Sequence, residues 1–330
     1  MIRSLITGGC GFVGGAFVRH CKSLRHKVVV VDDLSARRFP PRRPAFELHS
    51  GSLQNFCTRR DYEPDAFDLI IHCAAVVGGR LTIEGDPLAV AEDLAIDATF
   101  FNWLARAKKP PLTIYFSSSA VYPVELQRRA SHCALSEAHQ AMATPGLQID
   151  RVSLPDLTYG WAKLSGEYLA RVAVERYGAN IRIYRPFSGY GAGQSLDYPL
   201  PAIVRRVLKG WSPIKVWGSG EQVRDWIHID DIVAIVAATM EQTPSGHIMN
   251  LGSGVGTSFV TLAQTITTVL GHPHMPVKAD PSQPEGVFYR VADTYEMRKH
   301  YNRPLIPLVE GISRLAVYFE KGLALQEDLV

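Results

Sequence analysis

The chain has 330 residues, of which 46% are hydrophobic, and 35 basic against 32 acidic side chains leave a formal charge of +3. That length suits one large domain or two closely joined ones with a sizeable core, and so small a charge leaves no electrostatic footprint for nucleic acid. Five cysteines without a C-x-x-C pair speak against a disulfide framework or a cysteine metal cluster, so reduced thiols and no metal are expected. No apolar run approaches the ~20 residues that span a bilayer, and the N-terminal run that breaks at Gly8 is not a signal peptide. A cytoplasmic protein without a membrane partner is the expectation.

Taken in chain order, residues 2–7 form an apolar run, and residues 12–24 follow with helical spacing and outward basic groups. Buried-strand runs recur at 28–31, 69–73 and 112–117, with a helix over 87–107 between the last two. Residues 158–177 read as a helix leading into a strand at 181–184. Val/Ile/Leu runs without polar alternation mark strands covered on both faces. The expected fold class is α/β: a doubly wound parallel sheet of Rossmann type with a smaller C-terminal substrate-binding region. The division falls at residues 1–185 and 186–330, some later segments returning to the first domain. Frequent Gly and Pro after Pro186 predict a loop-rich texture there. The basic, Pro-rich stretch 37–44 reads as an exposed loop, and 123–155, lacking a clear period, as a long excursion near the site.

Between the first strand and first helix lies Thr7-Gly8-Gly9-Cys10-Gly11-Phe12-Val13-Gly14, with glycines at 8, 11 and 14. Lacking a Cβ, such a turn lets a pyrophosphate approach backbone amides at the positive end of a helix. The next strand ends in Asp32, an offset of 32 − 14 = 18 from the last glycine. That is close to the ~20 expected of a carboxylate that holds an adenosine ribose. An acid there repels a 2′-phosphate and favours NAD over NADP, although Arg37 and Arg38 stand nearby in the chain.

Tyr159 and Lys163, 163 − 159 = 4 apart at a helix start, share one face. A phenol titrates near 10, so a neutral-pH base needs a downward shift of about 3 units, to which a lysine ammonium and a positive nicotinamide ring both contribute. Ser117, Ser118 and Ser119 follow a strand at its carboxyl end, where open α/β sheets bind ligands. Alone, each feature reads as an ordinary turn or solvated helix face; together they point to hydride chemistry at an alcohol.

With those motifs in order, the chain resembles the extended short-chain dehydrogenases/reductases, in their sugar-nucleotide epimerase/dehydratase branch. TGGCGFVG, VDDLS, HCAA, SSSAVY, YGWAK, RPFSGYG and VWGSGEQVRDWIHIDD carry the resemblance over nearly the whole length. It implies Tyr159 as acid/base, Lys163 as its tuning and ribose-binding partner, and Ser118, with Ser119 second, on the reacting hydroxyl. It also implies that Gly8, Gly11, Phe12, Val13, Gly14, Asp32, Asp33, Ser52, Leu53, Ala74 and Ala75 line NAD. Ser188, Arg224 and, more weakly, Arg290 would hold a nucleotide-diphosphate sugar. Ser119 and Ala120 occupy positions where dehydratases carry acids and proton-transfer epimerases a cysteine; a histidine of GDP-fucose synthase aligns with Tyr198. The resemblance thus leaves a C4 epimerase first, a 4-keto-sugar reductase second, and a dehydratase or a silent dinucleotide binder behind them. Likeness of AAVVGG and VWGSG to GDP-fucose synthase and GDP-mannose 3,5-epimerase places GDP-sugars ahead of UDP-sugars, and a homodimer is implied.

Overall fold

The structure, a computed structural model, describes residues 1–35, 46–59, 61–140 and 154–327. Stretch 37–44 and residues 141–153 of the central excursion lie outside the described residues.

The first strand, β1 (Arg3–Thr7), leads through the glycine turn into α1 (Phe12–Ser23), then β2 (Lys27–Asp32) and β3 (Glu47–Ser50). Next come α2 (Leu53–Cys57), β4 (Leu69–His72), α3 (Arg80–Gly85), α4 (Pro87–Leu104) and β5 (Leu112–Phe116). The long α5 (Leu157–Tyr177) precedes β6 (Asn180–Pro186). These strands form a parallel sheet in the order β3-β2-β1-β4-β5-β6, to which β10 (Ile248–Leu251) adds a seventh strand beside β6. All its pairings are parallel, and register sets Thr7 opposite both Val31 and His72, with His72 opposite Tyr115. Strand order reverses between β1 and β4, so their carboxyl ends open the crevice where such sheets take ligands.

Uninterrupted apolar strands follow from burial on both faces. On one face Ile6, Val30, Ile71 and Ile114 pack with Phe17 of α1 and with Ile232 and Val236 of a later helix. On the other, Leu5, Val29, Ile70 and Tyr115 pack with Phe100 and Trp103 of α4 and Ala170 of α5. Helix ends obey local chemistry: Asp86 accepts Ala89 N at 3.0 Å ahead of Pro87, and Gly178 (φ 69°) stops α5.

After β6 the chain forms β7 (Ser188–Tyr190), α6 (Pro199–Leu208), β8 (Ile214–Trp217), β9 (Val223–His228) and α7 (Ile229–Thr239). Beyond β10 follow β11 (Gly256–Ser258), α8 (Phe259–Val269), β12 (Val277–Asp280), β13 (Tyr289–Arg290), α9 (Tyr295–His300) and α10 (Leu308–Glu327). The loop-rich texture expected here is corrected by the structure. Gly218 and Gly220 take positive φ in turns, while Pro199 and Pro201 sit in the first turn of α6, so they punctuate regular elements rather than replace them. Leu200, Val204, Leu262, Ile266, Ile312 and Leu315 make a second core. β9 is flanked by antiparallel β11 and parallel β13, with β7 also paired to it. Part of the central excursion is ordered too, with short 3₁₀ turns at Val124–Gln127 and Glu137–Gln140 and a bridge from Leu135 to Ala292.

Among the described residues no helix is long and apolar enough to cross a membrane, and no disulfide links the five cysteines, all of which are described.

Candidate active site

The glycine turn packs against the end of β4 so closely that side chains are excluded. A Cβ on Gly8 (φ 65°) would stand 2.8 Å from the backbone of Cys73 and Ala74, and one on Gly14 would stand 2.2 Å from the Gly8 carbonyl oxygen. Gly11 caps α1 without a side-chain hydrogen bond, so its first turn, Phe12 and Val13, presents amides toward the crevice. Asp32 braces the turn, accepting Cys10 N on Oδ2 and Leu34 N on Oδ1, both at 2.8 Å. These features fit a dinucleotide pyrophosphate. Gly14→Ala is therefore expected to weaken NAD binding by about 5- to 150-fold, the equivalent of ~1–3 kcal/mol of overpacking. Calorimetric titration with NAD checks this, and wild-type affinity would remove the turn from its role.

The other cofactor candidates divide. Ala74 N donates to Thr7 Oγ1 (3.2 Å) at the sheet's carboxyl edge, with Ala75 next in chain. Asp33 accepts from Ser35, and Ser52 caps α2 by accepting Asn55 N. The Leu53 side chain is buried in the core with Phe56 and Val31, not directed at the cleft.

The catalytic candidates converge. Gly160 brings the start of α5 onto the serine turn: a Cβ there would stand 2.5 Å from Ala120 O, and Asp156 N donates to that same oxygen at 2.8 Å. The three serines take separate tasks. Ser118 hydrogen-bonds the Tyr159 phenol and accepts Ala120 N (3.1 Å), whereas Ser117 donates to the Glu167 carboxylate and Ser119 is buried in the turn. Lys163 Nζ stands 5.9 Å from the centre of the Tyr159 ring.

The electrostatics depart from expectation. Burial pushes the Tyr159 phenol up; Lys163 and Ser118 oppose this, but Asp93 and Asp97 reinforce it, so the net direction is upward. The sequence reading counted the lysine and missed both carboxylates. Burial alone would lower Lys163, yet Asp97 and Asp93 outweigh it and hold the ammonium charged. Both acids lie on α4, four residues apart, facing α5 (Gly166 leaves room, since a Cβ would stand 2.2 Å from Asp97 Oδ2). Asp97 lies between His72 Nε2 (3.1 Å) and Tyr115 OH (2.5 Å), and His72 Nδ1 reaches Thr7 Oγ1 (2.7 Å). His72, from the HCAA segment, thus orders strand ends from beneath. Asp93 accepts Val76 N, and burial pushes its carboxyl up to about 6. Their i,i+4 spacing on an apolar helix was the available signal, but an isolated pair of acids usually marks a solvated face.

On the substrate side, Arg224 and Arg290 are register partners across β9 and β13. Arg224 donates to Val223 O (2.8 Å) and lies 5.6 Å from the Phe259 ring, while Arg290 binds Asp156 (2.8 Å) and Gln127 (2.7 Å). Arg290 therefore ties this sheet to the start of α5. Beside that pair opens a cleft of about 400 Å³ lined by Gln127, Arg128, Arg129, Asp156 and Phe288. Ser188 opens β7 opposite Trp226, and Tyr198, at the start of α6, lies near enough to Tyr159 for each phenol's ionisation to act on the other. Of the acids and histidines of the excursion, Glu137 is occupied with Asn250 N (2.7 Å), and His139 Nδ1 accepts Ser136 N (3.1 Å).

A parallel crevice with a glycine turn, and a Ser-Tyr-Lys set at its edge, defines an NAD-dependent enzyme that oxidises or reduces an alcohol carbon. Residues 4–252 match the NAD dependent epimerase/dehydratase family, and the chain belongs to it. Its cofactor is NAD, and its class is the sugar-nucleotide epimerases, dehydratases and reductases. Among curated relatives, dTDP-4-dehydro-6-deoxy-D-allose reductase of Streptomyces sp is 24% identical, the alignment covering 96% of this chain and 95% of that one. GDP-L-fucose synthase of Sinorhizobium fredii is 25% identical over 98% of this chain and 96% of its own. UDP-glucose 4-epimerase of Thermus thermophilus, solved in complex with NAD, superposes with a TM-score of 0.81 at 20% identity, over 97% of this chain and 99% of that one.

Proposed function

We propose that the protein is a sugar-nucleotide epimerase that inverts C4 through a transient 4-keto sugar. The observation that supports this reading is that the described residues bring together one proton-transfer set, Ser118, Tyr159 and Lys163, beside a serine turn whose Ser119 and Ala120 are buried. Elimination needs a second acid and base facing the sugar; oxidation followed by return of the hydride does not. Tyr159 takes the C4 hydroxyl proton while Ser118 holds the oxygen, and Lys163 keeps positive charge against the phenolate. The glycine turn and Asp32 would hold NAD, which would supply the hydride acceptor and donor. Arg224 anchors the pyrophosphate, while Arg290, held by Asp156 and Gln127, braces the sheet beside it, so the keto sugar turns and presents its other face. GDP-linked sugars stand ahead of UDP-linked ones as substrates.

The test is incubation with GDP-, UDP-, CDP- and dTDP-sugars without added cofactor, with products read by NMR. A C4 epimer formed at no cost in reductant supports the reading. Product that appears only with stoichiometric NADH selects a keto-sugar reductase instead, and loss of water selects a dehydratase.

Asp93 gives this site a signed pH response. Above about pH 6 its carboxylate opposes ionisation of Tyr159. Asp93→Asn removes that charge, so the phenol ionises more readily and the rising limb of the kcat/KM profile moves to lower pH. An unchanged limb, or one moved to higher pH, contradicts the assignment.

A homodimer through α4 and α5 is proposed on their exposed apolar side chains, Leu88 (84% exposed), Leu94, Trp161 and Tyr177. Light scattering after size exclusion reads it directly.

A further inference from the structure

We propose that His247, Glu296 and His300 form a binding site for a divalent transition cation of the zinc kind, at the end of the sheet opposite the cofactor crevice. His247 immediately precedes β10, which runs parallel to β6, so it lies at the amino edge of the sheet. Glu296 and His300 stand four apart on α9, which packs on β10, and so share a helix face.

The three donor atoms already converge. Glu296 Oε1 lies 3.6 Å from His247 Nε2 and 3.5 Å from His300 Nε2, and all three lie within 4.8 Å of one another. A tetrahedral zinc with ligands at about 2.0–2.1 Å needs them roughly 3.3 Å apart, so small side-chain rotations suffice. His247 Nε2 is itself buried and has no hydrogen-bond partner, an omission that a cation would repair. Lys299 holds the other Glu296 oxygen at 2.7 Å, leaving Oε1 to face the two rings. Lys299 and Arg182 oppose a cation by charge, and Glu296 offsets them. All three ligands keep partial exposure, so an ion can enter and a water can complete the shell. Two imidazoles select zinc, cobalt or nickel over magnesium or calcium. A bound ion would clip α9 to the seventh strand, which is a stabilising role separate from the chemistry. The sequence hid the site because His247 is distant in the chain and no ligand spacing announces it.

The experiment strips the full-length protein with chelator and titrates it with Zn²⁺ by calorimetry and with Co²⁺ by visible absorption, MgCl₂ serving as the contrast. One equivalent bound with tetrahedral Co²⁺ bands is expected, weakened at least ~10-fold in His300→Ala and in His247→Ala. Lys299→Ala, which removes the ammonium that competes for the Glu296 carboxylate and keeps all three donor side chains, should tighten binding. Zn²⁺ affinity unaltered in the two histidine variants, absence of Co²⁺ bands, or equal affinity for Mg²⁺ would overturn the proposal.

Discussion

Tyr159→Phe is expected to lower kcat/KM on the responding nucleotide sugar by at least ~10³-fold, within the span that a positioned acid/base supplies. The substitution deletes one oxygen and keeps the ring volume, so the packing of α5 on the serine turn, set by Gly160 rather than by the phenol, survives. Lys163 also keeps its charge, because Asp93 and Asp97 hold it there independently of Tyr159. NAD affinity should therefore stay within about threefold of wild type while turnover collapses, since the glycine turn and Asp32 are untouched. Stopped-time NMR for turnover and calorimetry for NAD separate the two effects. Activity retained in this variant would remove Tyr159 from the chemistry; NAD binding lost together with activity would make its role structural.

Much of the first half was legible because its signals are local. A β-branched run can be buried on both faces only in a parallel sheet, and a strand, glycine turn and helix in succession carry their own geometric meaning. Strands ending at Thr7, Asp32, His72 and Phe116 followed directly, and so did the helix bearing Tyr159 and Lys163. β3 was not read, since Glu47–Ser50 is short, polar and half-exposed at the sheet edge. The second half reads as loop-rich because glycine and proline mark turns and helix starts as readily as they mark loops.

What stayed hidden in the site is tertiary. Arg185, in a segment that resembles a substrate signature, is fully buried and grips Glu167; nothing in RPFSGYG distinguishes a side chain aimed at solvent from one aimed at the core. Arg290 likewise carried a charge suited to phosphate, yet its partner Asp156 arrives from a loop far away in sequence. Asp93 and Asp97 matter because α4 turns them toward Lys163, and that direction depends on how two helices cross.

The buried pair gives the largest stability prediction. Arg185 donates Nε to Glu167 Oε1 (2.8 Å) and Nη2 to Oε2 (2.7 Å), a bidentate fork with both side chains almost wholly excluded from water. The same guanidinium reaches Tyr122 OH (3.1 Å) and the carbonyl of Gln140 (2.9 Å), while Tyr122 OH donates to Asn250 Oδ1 (2.6 Å). One network therefore joins α5, β6, β10 and the excursion beneath the serine turn. Glu167→Gln keeps the shape but leaves the guanidinium charge uncompensated, for which breaking a buried pair costs about 3–5 kcal/mol. Calorimetric unfolding should show this as a fall in Tm of about 4–7 °C, since an unfolding entropy of ~2.1 cal/mol/K per residue over 330 residues gives ~1.4 °C per kcal/mol. Removing both charges in Glu167→Gln with Arg185→Met should recover part of the loss, because the penalty lies in the orphaned charge rather than in the missing attraction. If the double variant proves less stable than Glu167→Gln by a full additive increment, the hydrogen bonds of Arg185 to the excursion, and not its charge balance, hold this part of the fold.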